Sequence, residues 1–399
     1  MRTYRGLPAA FWTVWVGTLL NRAGAFVVPF LALYTTSARG QSEATAGLVV
    51  SVYGAGSFAA AWVGGSLADH IGRRRTMLLS LFGGAVPMLA IAVVKPLWAL
   101  AAATFLMGGL SEMYRPAVSA FVSDVVAPQD RIRAFGLMYW AHNLGFALAP
   151  VLAGWLSLGG FTLLFIVDAA TMVVFGAIVF FALQETKPTE PMQSDKPPAS
   201  LLVIARDRVY LAIVLLTWGT ALVMWQNGAA LPLDMKRTGH SPSAYGSLIG
   251  INGALIVFLQ PPLTRWLAGK DRSLVMAWSS LLFGAGMGLY AFVTSAWGYA
   301  AAIALWTVGE VGLLPTISAV VADLAPRAMR GRYQGASNMA WGLAACLGPA
   351  AGGSVLLRLG PYTLWGACAA IMFVVALAHT LLRKRLNESV QARRESPTA

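Results

Sequence analysis

The chain has 399 residues, 57% of them hydrophobic and 11% charged, with a mean hydropathy of +0.66. A soluble domain carries roughly 25% charged residues; this composition has too little polar surface for a water-soluble fold, excludes a disordered chain and, with only Cys346 and Cys368, excludes a disulfide scaffold. The net charge of +13 would point to nucleic acid in a soluble protein, but in a membrane protein Lys and Arg collect in cytoplasmic loops beside anionic lipid, so no nucleic acid is expected.

Apolar stretches of about 20 residues cross a bilayer as helices. Twelve are expected, over roughly 11–33, 46–67, 76–94, 97–121, 134–157, 161–183, 209–231, 243–264, 275–294, 297–321, 333–356 and 361–382. The charged start, Met1 to Gly6, runs straight into the first span and does not read as a cleaved signal peptide. Residues 184–208 contain Pro188, Pro191, Pro197 and Pro198 and read as a linker without a packed core. The expected division is a bundle over 1–183, a cytoplasmic linker over 184–208, a second bundle over 209–382 and a cytoplasmic tail over 383–399. With the N-terminus in the cytoplasm, 22 Lys and Arg residues fall on that side and 5 on the other, which places both termini inside.

The chain repeats itself. At an offset of 199 residues Pro116 matches Pro315, Asp124 matches Asp323, Gly136 matches Gly335, Pro150 matches Pro349 and Gly154 matches Gly353; Glu112 and Glu310 match at 198. An offset of six whole spans preserves orientation, as in a parallel repeat. The expected fold is therefore an all-α polytopic membrane protein of two pseudo-symmetric six-helix bundles, with a seam that invites a central cavity and a rocking motion.

Five ionisable residues fall within spans: Arg22, Glu112, Arg115, Asp168 and Glu310. A charge at the bilayer centre costs about 2.5–3.5 kcal/mol on insertion scales, so each should face a cavity or a partner. Arg115 lies one turn from Glu112, and an Arg22–Glu112–Arg115 cluster in the first half is expected to oppose Glu310 in the second. Glu310 has no charged neighbour in its own helix and is the leading candidate for proton exchange. Glu112 reads better as an ion pair. For both, the competing reading is a buried polar contact that fixes helix packing. Asp168, toward the outer end of span six, is either a cavity charge or a hydrogen-bond partner of a neighbouring helix. Polar and aromatic residues expected to line the cavity are Asn21, Tyr114, Tyr139, Trp140, His142, Asn143, Trp225, Gln226, Asn227, Asn252, Trp306 and Trp341. Aromatic faces suit apolar and cationic substrates; interfacial anchoring or packing is the alternative for each.

Between spans two and three, Gly65, Asp69, Gly72 and Arg73 form a tight charged loop, and Arg73 could reach Asp124 at the inner end of span four as a gating charge lock. A weaker copy runs from Leu263 to Arg272. In span five, Gly145, Pro150 and Gly154 read as a close-packed, bendable helix seam, with a counterpart from Cys346 to Gly353 in span eleven.

Twelve spans, the six-plus-six repeat, the polar central linker and the Gly65 to Arg75 loop together resemble the major facilitator superfamily over nearly the whole chain. The resemblance implies alternating access without ATP hydrolysis or a cofactor. It also implies that Asp69 caps helix eleven and that Arg73 pairs with Asp124, stabilising an outward-facing state. The Gly145 to Gly154 stretch is similar to the helix-five motif of the drug/proton antiporter branch, with Ala149 and Ala153 where glycines are usual. The expected function is proton-coupled export of small amphipathic or drug-like molecules by a monomer in the bacterial cytoplasmic membrane. The alternative is an uptake carrier or dedicated exporter for sugars, peptides or lipids. An enzyme is disfavoured, since no metal-ligand cluster, nucleotide loop or nucleophilic triad stands in the spans.

Overall fold

Hydrocarbon offers the backbone no water, so an apolar run satisfies its own N–H and C=O groups as a helix. The computed structural model describes residues 6–127, 130–186, 206–267, 269–325 and 330–395, and most of the expected linker, 187–205, lies outside the described residues. The helices in chain order are α1 (Ala9–Ala23), α2 (Val27–Leu33), α3 (Glu43–Ile71), α4 (Arg73–Val93), α5 (Leu97–Glu112), α6 (Tyr114–Val125), α7 (Arg131–Leu156) and α8 (Phe161–Ala182). The second half follows with α9 (Arg208–Met224), α10 (Gln226–Ala229), α11 (Leu231–Arg237), α12 (Pro242–Leu267), α13 (Arg272–Leu289), α14 (Ala296–Leu324) and α15 (Arg330–Glu395). Among the described residues these make twelve crossings. Helices α1 and α2 form span one, α5 and α6 span four, and α9 to α11 span seven. Helix α15 forms spans eleven and twelve on either side of Gly360, whose φ of 83° makes the bend.

Spans one, four and seven are broken where uninterrupted helices were expected. Each break sits just ahead of a proline, Pro29, Pro116 or Pro232, in the first turn of the helix that follows. A proline ring clashes with the carbonyl four residues back and offers no N–H, and the backbone groups so released need partners inside the membrane. Neighbouring spans supply them. Asp168 Oδ2 of span six accepts the N–H groups of Phe26 (3.1 Å) and Val27 (3.2 Å). Ser80 of span three accepts from the Tyr114 N–H (2.9 Å) and donates to the Leu110 carbonyl (2.5 Å). The Tyr245 hydroxyl of span eight donates to the Asn227 carbonyl (3.0 Å).

The halves meet along two helix pairs, α3 with the first part of α15 and α7 with α12. Small residues allow the backbones to touch. Gly246 lies against the Pro150 carbonyl and Gly154, and Gly47 lies against Pro349 and Ala350. Arg237 grips Glu43 with two nitrogens, at 2.6 and 2.5 Å, and the Phe30 and Tyr245 rings meet edge to face at 5.5 Å. All of these contacts lie toward the face opposite the chain termini. There the core mixes Phe30, Leu31 and Tyr53 with Leu231 and Tyr245. Toward the terminal face, the core around Phe11, Leu81, Phe121 and Val179 belongs to the first half alone, and Gly136 and Gly335 face open space. Among the described residues the seam is thus closely packed on one side and more open on the other.

Span twelve does not end in a polar tail at 383. Its helix continues to Glu395, Leu386 is buried, and Arg383 (2.8 Å) and Asn387 (3.2 Å) bond to Asp271, the N-cap of α13. Burial pushes the Asp271 carboxyl up, but hydrogen bonds from Arg383, the Leu274 N–H and Asn387 outweigh it and hold the group below its ordinary value.

Two predictions follow from these contacts. Gly246→Val should lower the melting temperature in detergent through an overpacking cost of about 1–3 kcal/mol. Gly366→Ala, at a site with open space around it, should be neutral or mildly stabilising. A carboxyl group lowered in the folded state contributes stability above its unfolded-state value and loses it as pH falls through the folded one. Docking of the extension after Arg383 should therefore weaken as pH drops through and below the carboxylate range. Limited proteolysis should show cleavage there first on acidification, and in Asp271→Asn already at neutral pH.

Candidate functional site

The break in span four turns its middle toward spans one and two. Glu112 Oε2 lies 3.1 Å from Arg115 Nη1 and 3.5 Å from Arg22 Nη2, and Oε1 accepts from the Tyr53 hydroxyl at 3.1 Å. Arg22 Nε donates to the Tyr114 hydroxyl at 2.8 Å, with the guanidinium 5.5 Å from the centre of that ring. Arg22, Glu112, Arg115 and Tyr114 thus come together at mid-depth. Tyr53, which no spacing rule singled out, completes the cluster from span two.

Glu310 stands apart, in the second half. It is 6% exposed and accepts from Asn252 Nδ2 at 2.7 Å; the same amide reaches Thr307 Oγ1 at 3.0 Å. Among the described residues no cation pairs with it. The carboxyl group therefore sits in a neutral shell from spans eight and ten. Thr307 was missed, although it lies one helical turn before Glu310.

Asp168 is not a cavity charge. It is 4% exposed and its oxygen is occupied by the amides of Phe26 and Val27, so it closes the break in span one. Trp306 is not a cavity lining either. It is 2% exposed, packs edge to face on Phe283 and donates to the Tyr290 hydroxyl at 2.7 Å. Trp140 stacks on Trp15 at 5.9 Å and ties span five to span one. Tyr139, half-exposed, reaches Gln260 of span eight across the seam at 3.4 Å, and Asn143 donates to the Tyr139 carbonyl. His142 faces the Met138 carbonyl of its own helix. Asn21 and Asn227 are buried, and both side-chain amide atoms of Asn227 lack a hydrogen-bond partner. Trp225 and Trp341 are half-buried. Gln226 donates to the Leu222 and Gly348 carbonyls, at 2.9 Å each, and so packs span seven on span eleven.

In the loop, Arg73 Nε donates to Asp124 Oδ2 at 3.0 Å and Arg73 Nη1 to the Ala68 carbonyl at 3.0 Å. Gly72 takes a φ of 107°, while Gly65 has open space around it. Asp69 lies 3.2 Å from Arg73 of its own loop and is 71% exposed; the residues that lead into helix eleven, 326–329, lie outside the described residues. Glu185, absent from the expected site, accepts from the Arg74 and Arg75 amides (3.1 and 3.2 Å) and caps α4. The second half carries an equivalent lock, Arg272 to Asp323 at 2.5 Å. Gly145 of the span-five seam lies against Arg22, while Pro150 and Gly154 meet Gly246 of span eight. A surface hollow beside the loop is lined by Val63, Ser66, Leu67 and His70 and another by Trp155, Leu158 and Ser241, and Arg22, Glu112, Arg115 and Glu310 line neither.

Asp168 has a direct test. Asp168→Leu leaves two buried amides without an acceptor and should cost about 1–3 kcal/mol for each, seen as a lower melting temperature in detergent. Asp168→Asn keeps an oxygen acceptor and should retain most of the stability, and a loss as large as that of Asp168→Leu would show that the acceptor is not what Asp168 contributes.

Residues 14–230 and 213–398 each match the sequence profile of the Major Facilitator Superfamily. The chain is similar to the Na(+), Li(+), K(+)/H(+) antiporter of Planococcus maritimus, at 25% identity over 83% of this chain and 85% of that one. It is also similar to the multidrug resistance protein MdtH of Klebsiella pneumoniae (strain 342), at 26% identity over 91% of each. In fold it matches a POT family transporter solved in complex with 5-aminolevulinic acid, with a TM-score of 0.82 at 17% identity over 96% of this chain and 98% of that one. A profile matched across nearly its whole length, on twelve helices arranged as two six-helix bundles, shows that the chain belongs to the Major Facilitator Superfamily and is a multi-pass membrane transporter of small molecules.

Proposed function

We propose that this transporter is a proton-coupled secondary carrier of small polar organic solutes, the class that includes sugars and peptides, and that Glu310 carries the coupled proton. The single observation behind the coupling is the setting of Glu310. A buried charge in hydrocarbon needs a counter-ion or must be neutralised; here its partners are an amide and, through that amide, a hydroxyl. Exchange of a proton at this carboxyl group would change what the second half can bury as the seam opens and closes. With both termini in the cytoplasm, as the 22 to 5 split of basic residues favours, the parted side of the seam is the inner one. We place the chain in a bacterial cytoplasmic membrane and the Arg73–Asp124 pair among its gating contacts.

The charged and hydrogen-bonding centre favours a carrier for polar solutes over an exporter of amphipathic drugs. Tyr114 and Trp306, expected to offer aromatic faces, are buried in packing. Export of drug-like compounds stands as the second reading, favoured by the likeness to MdtH and to a cation/proton antiporter.

Proteoliposomes with an imposed proton gradient, tested on a panel of peptides, sugars and drug-like cations, separate the two. Peptides or sugars should elicit the proton flux. In Glu310→Gln, gradient-driven accumulation should fall to the level of empty liposomes while exchange of labelled for unlabelled solute persists. Unchanged pH-dependent accumulation in that variant would remove Glu310 from the coupling role.

A further inference from the structure

We infer that Lys270, Lys384 and Arg385, beside Trp266, bind the phosphate groups of anionic phospholipids at the terminal face of the second bundle. This surface lies outside the transport path, and the inference does not depend on the coupling at Glu310. It starts from the register of α15. Phe373, Val374, Leu377 and Leu381 form an exposed apolar stripe at helical spacing, the lipid face of span twelve. Lys384 and Arg385 follow Leu381 by three and four residues, so they continue that stripe by one turn, and both are exposed. The Cα–Cβ bonds of a helix tilt toward its N-terminus, which here is toward the bilayer. Both cations therefore stand at headgroup depth, where the lipid face ends.

Span eight ends in the same way. Arg265 and Trp266 follow the exposed Phe258 by seven and eight residues, and Lys270 Nζ lies 5.5 Å from the centre of the Trp266 ring. An exposed tryptophan with a cation beside it suits the membrane–water interface. Asp271 joins the two segments: Lys270 precedes it in the chain, and Arg383 and Asn387 bond to it from α15. The nearby carboxylates do not neutralise the patch. Asp271 is taken by Arg383, and Asp323 by Arg272. Glu388, exposed one turn past Lys384, forms no ion pair among the described residues, and neither do Arg265, Lys270, Lys384 and Arg385. An anionic leaflet attracts each such cation, and the attraction adds over a cluster and weakens with salt. Depth sets this patch apart from a site for a soluble polyanion, since the apolar stripe runs into it without a break.

The test uses the full-length protein in a neutral detergent, titrated with fluorescently labelled phosphatidylglycerol. Unlabelled phosphatidylglycerol should displace the probe, and phosphatidylcholine and inorganic phosphate should not. The triple variant Lys270→Gln, Lys384→Gln, Arg385→Gln should bind the probe at least about tenfold more weakly. Lys95→Gln, which removes an exposed cation from the opposite face, should bind it like the parent. Gel filtration checks assembly, and if the triple variant does not assemble, the pair Lys384→Gln, Arg385→Gln decides. Displacement by inorganic phosphate would make the patch a site for a soluble anion. Equal displacement by phosphatidylcholine would make it an apolar contact, and equal weakening in Lys95→Gln an effect of net charge alone. Each of these would overturn the assignment, as would an assembled triple variant that binds like the parent.

Discussion

No backbone polar group can be left open in hydrocarbon, and the arrangement of this transporter follows from how that constraint is met at three places where the helices break. Prolines release the backbone in spans one, four and seven, and a side chain from a neighbouring span takes up what is released: Asp168, Ser80 and Tyr245. Each repair binds a broken span to its neighbour within the same half. A break that is sealed in this way can change the direction of a helix without exposing the bilayer to an unpaired amide. The break after Glu112 puts Arg115 and Tyr114 on the start of a new helix, and there they join Arg22.

The repeat is kept where it holds helices together and abandoned where chemistry is at stake. Arg73–Asp124 and Arg272–Asp323 occupy equivalent places, at an offset of 199 residues for both members. The N-termini of spans three and nine are both docked from the segment that follows span six or span twelve, but with the signs exchanged. Glu185 reaches the amides of α4, whereas Arg383 reaches the aspartate that caps α13. At mid-depth the likeness fails. Glu112 is crowded by two arginines and Glu310 by an amide and a hydroxyl, although their positions match to within one residue. One half carries a fixed charge cluster and the other a carboxyl group in neutral surroundings.

The twelve crossings were legible because hydrophobic length alone decides them, and the loop from Gly65 to Arg75 because its glycines and charges exclude a helix through lipid. The Arg22–Glu112–Arg115 cluster was legible because intramembrane charges must find one another. What escaped were uncharged and main-chain partners on distant helices. Asp168 read as either a cavity charge or a hydrogen-bond partner of a neighbouring helix, and only the fold decides between them, since its partners are main-chain amides 141 and 142 residues away, which no spacing shows. Trp306 read as a cavity aromatic, yet Phe283 and Tyr290 bury it. Prolines did mark the breaks, but Pro87, Pro150, Pro315 and Pro349 lie within continuous helices. Pro315 even matches Pro116 in the repeat. Whether a proline breaks its span depends on what its neighbours do with the groups it frees.

The contacts between the halves also indicate which of them must yield in an alternating cycle. On the closed face they are glycine to backbone, Gly47 to Pro349 and Gly246 to Pro150, with the Arg237–Glu43 pair at the rim. The glycine contacts lose little when they part and an ion pair near the membrane surface regains water, but the Phe30 and Tyr245 rings, which meet across the same face, would be uncovered. On the parted face Asp69 is exposed beside Arg73, while Arg73 and Asp124 already hold the first half together. The apolar cost of opening the closed face is therefore set by the Phe30–Tyr245 contact and the core around it, while the glycine contacts and the Arg237–Glu43 pair part at small cost.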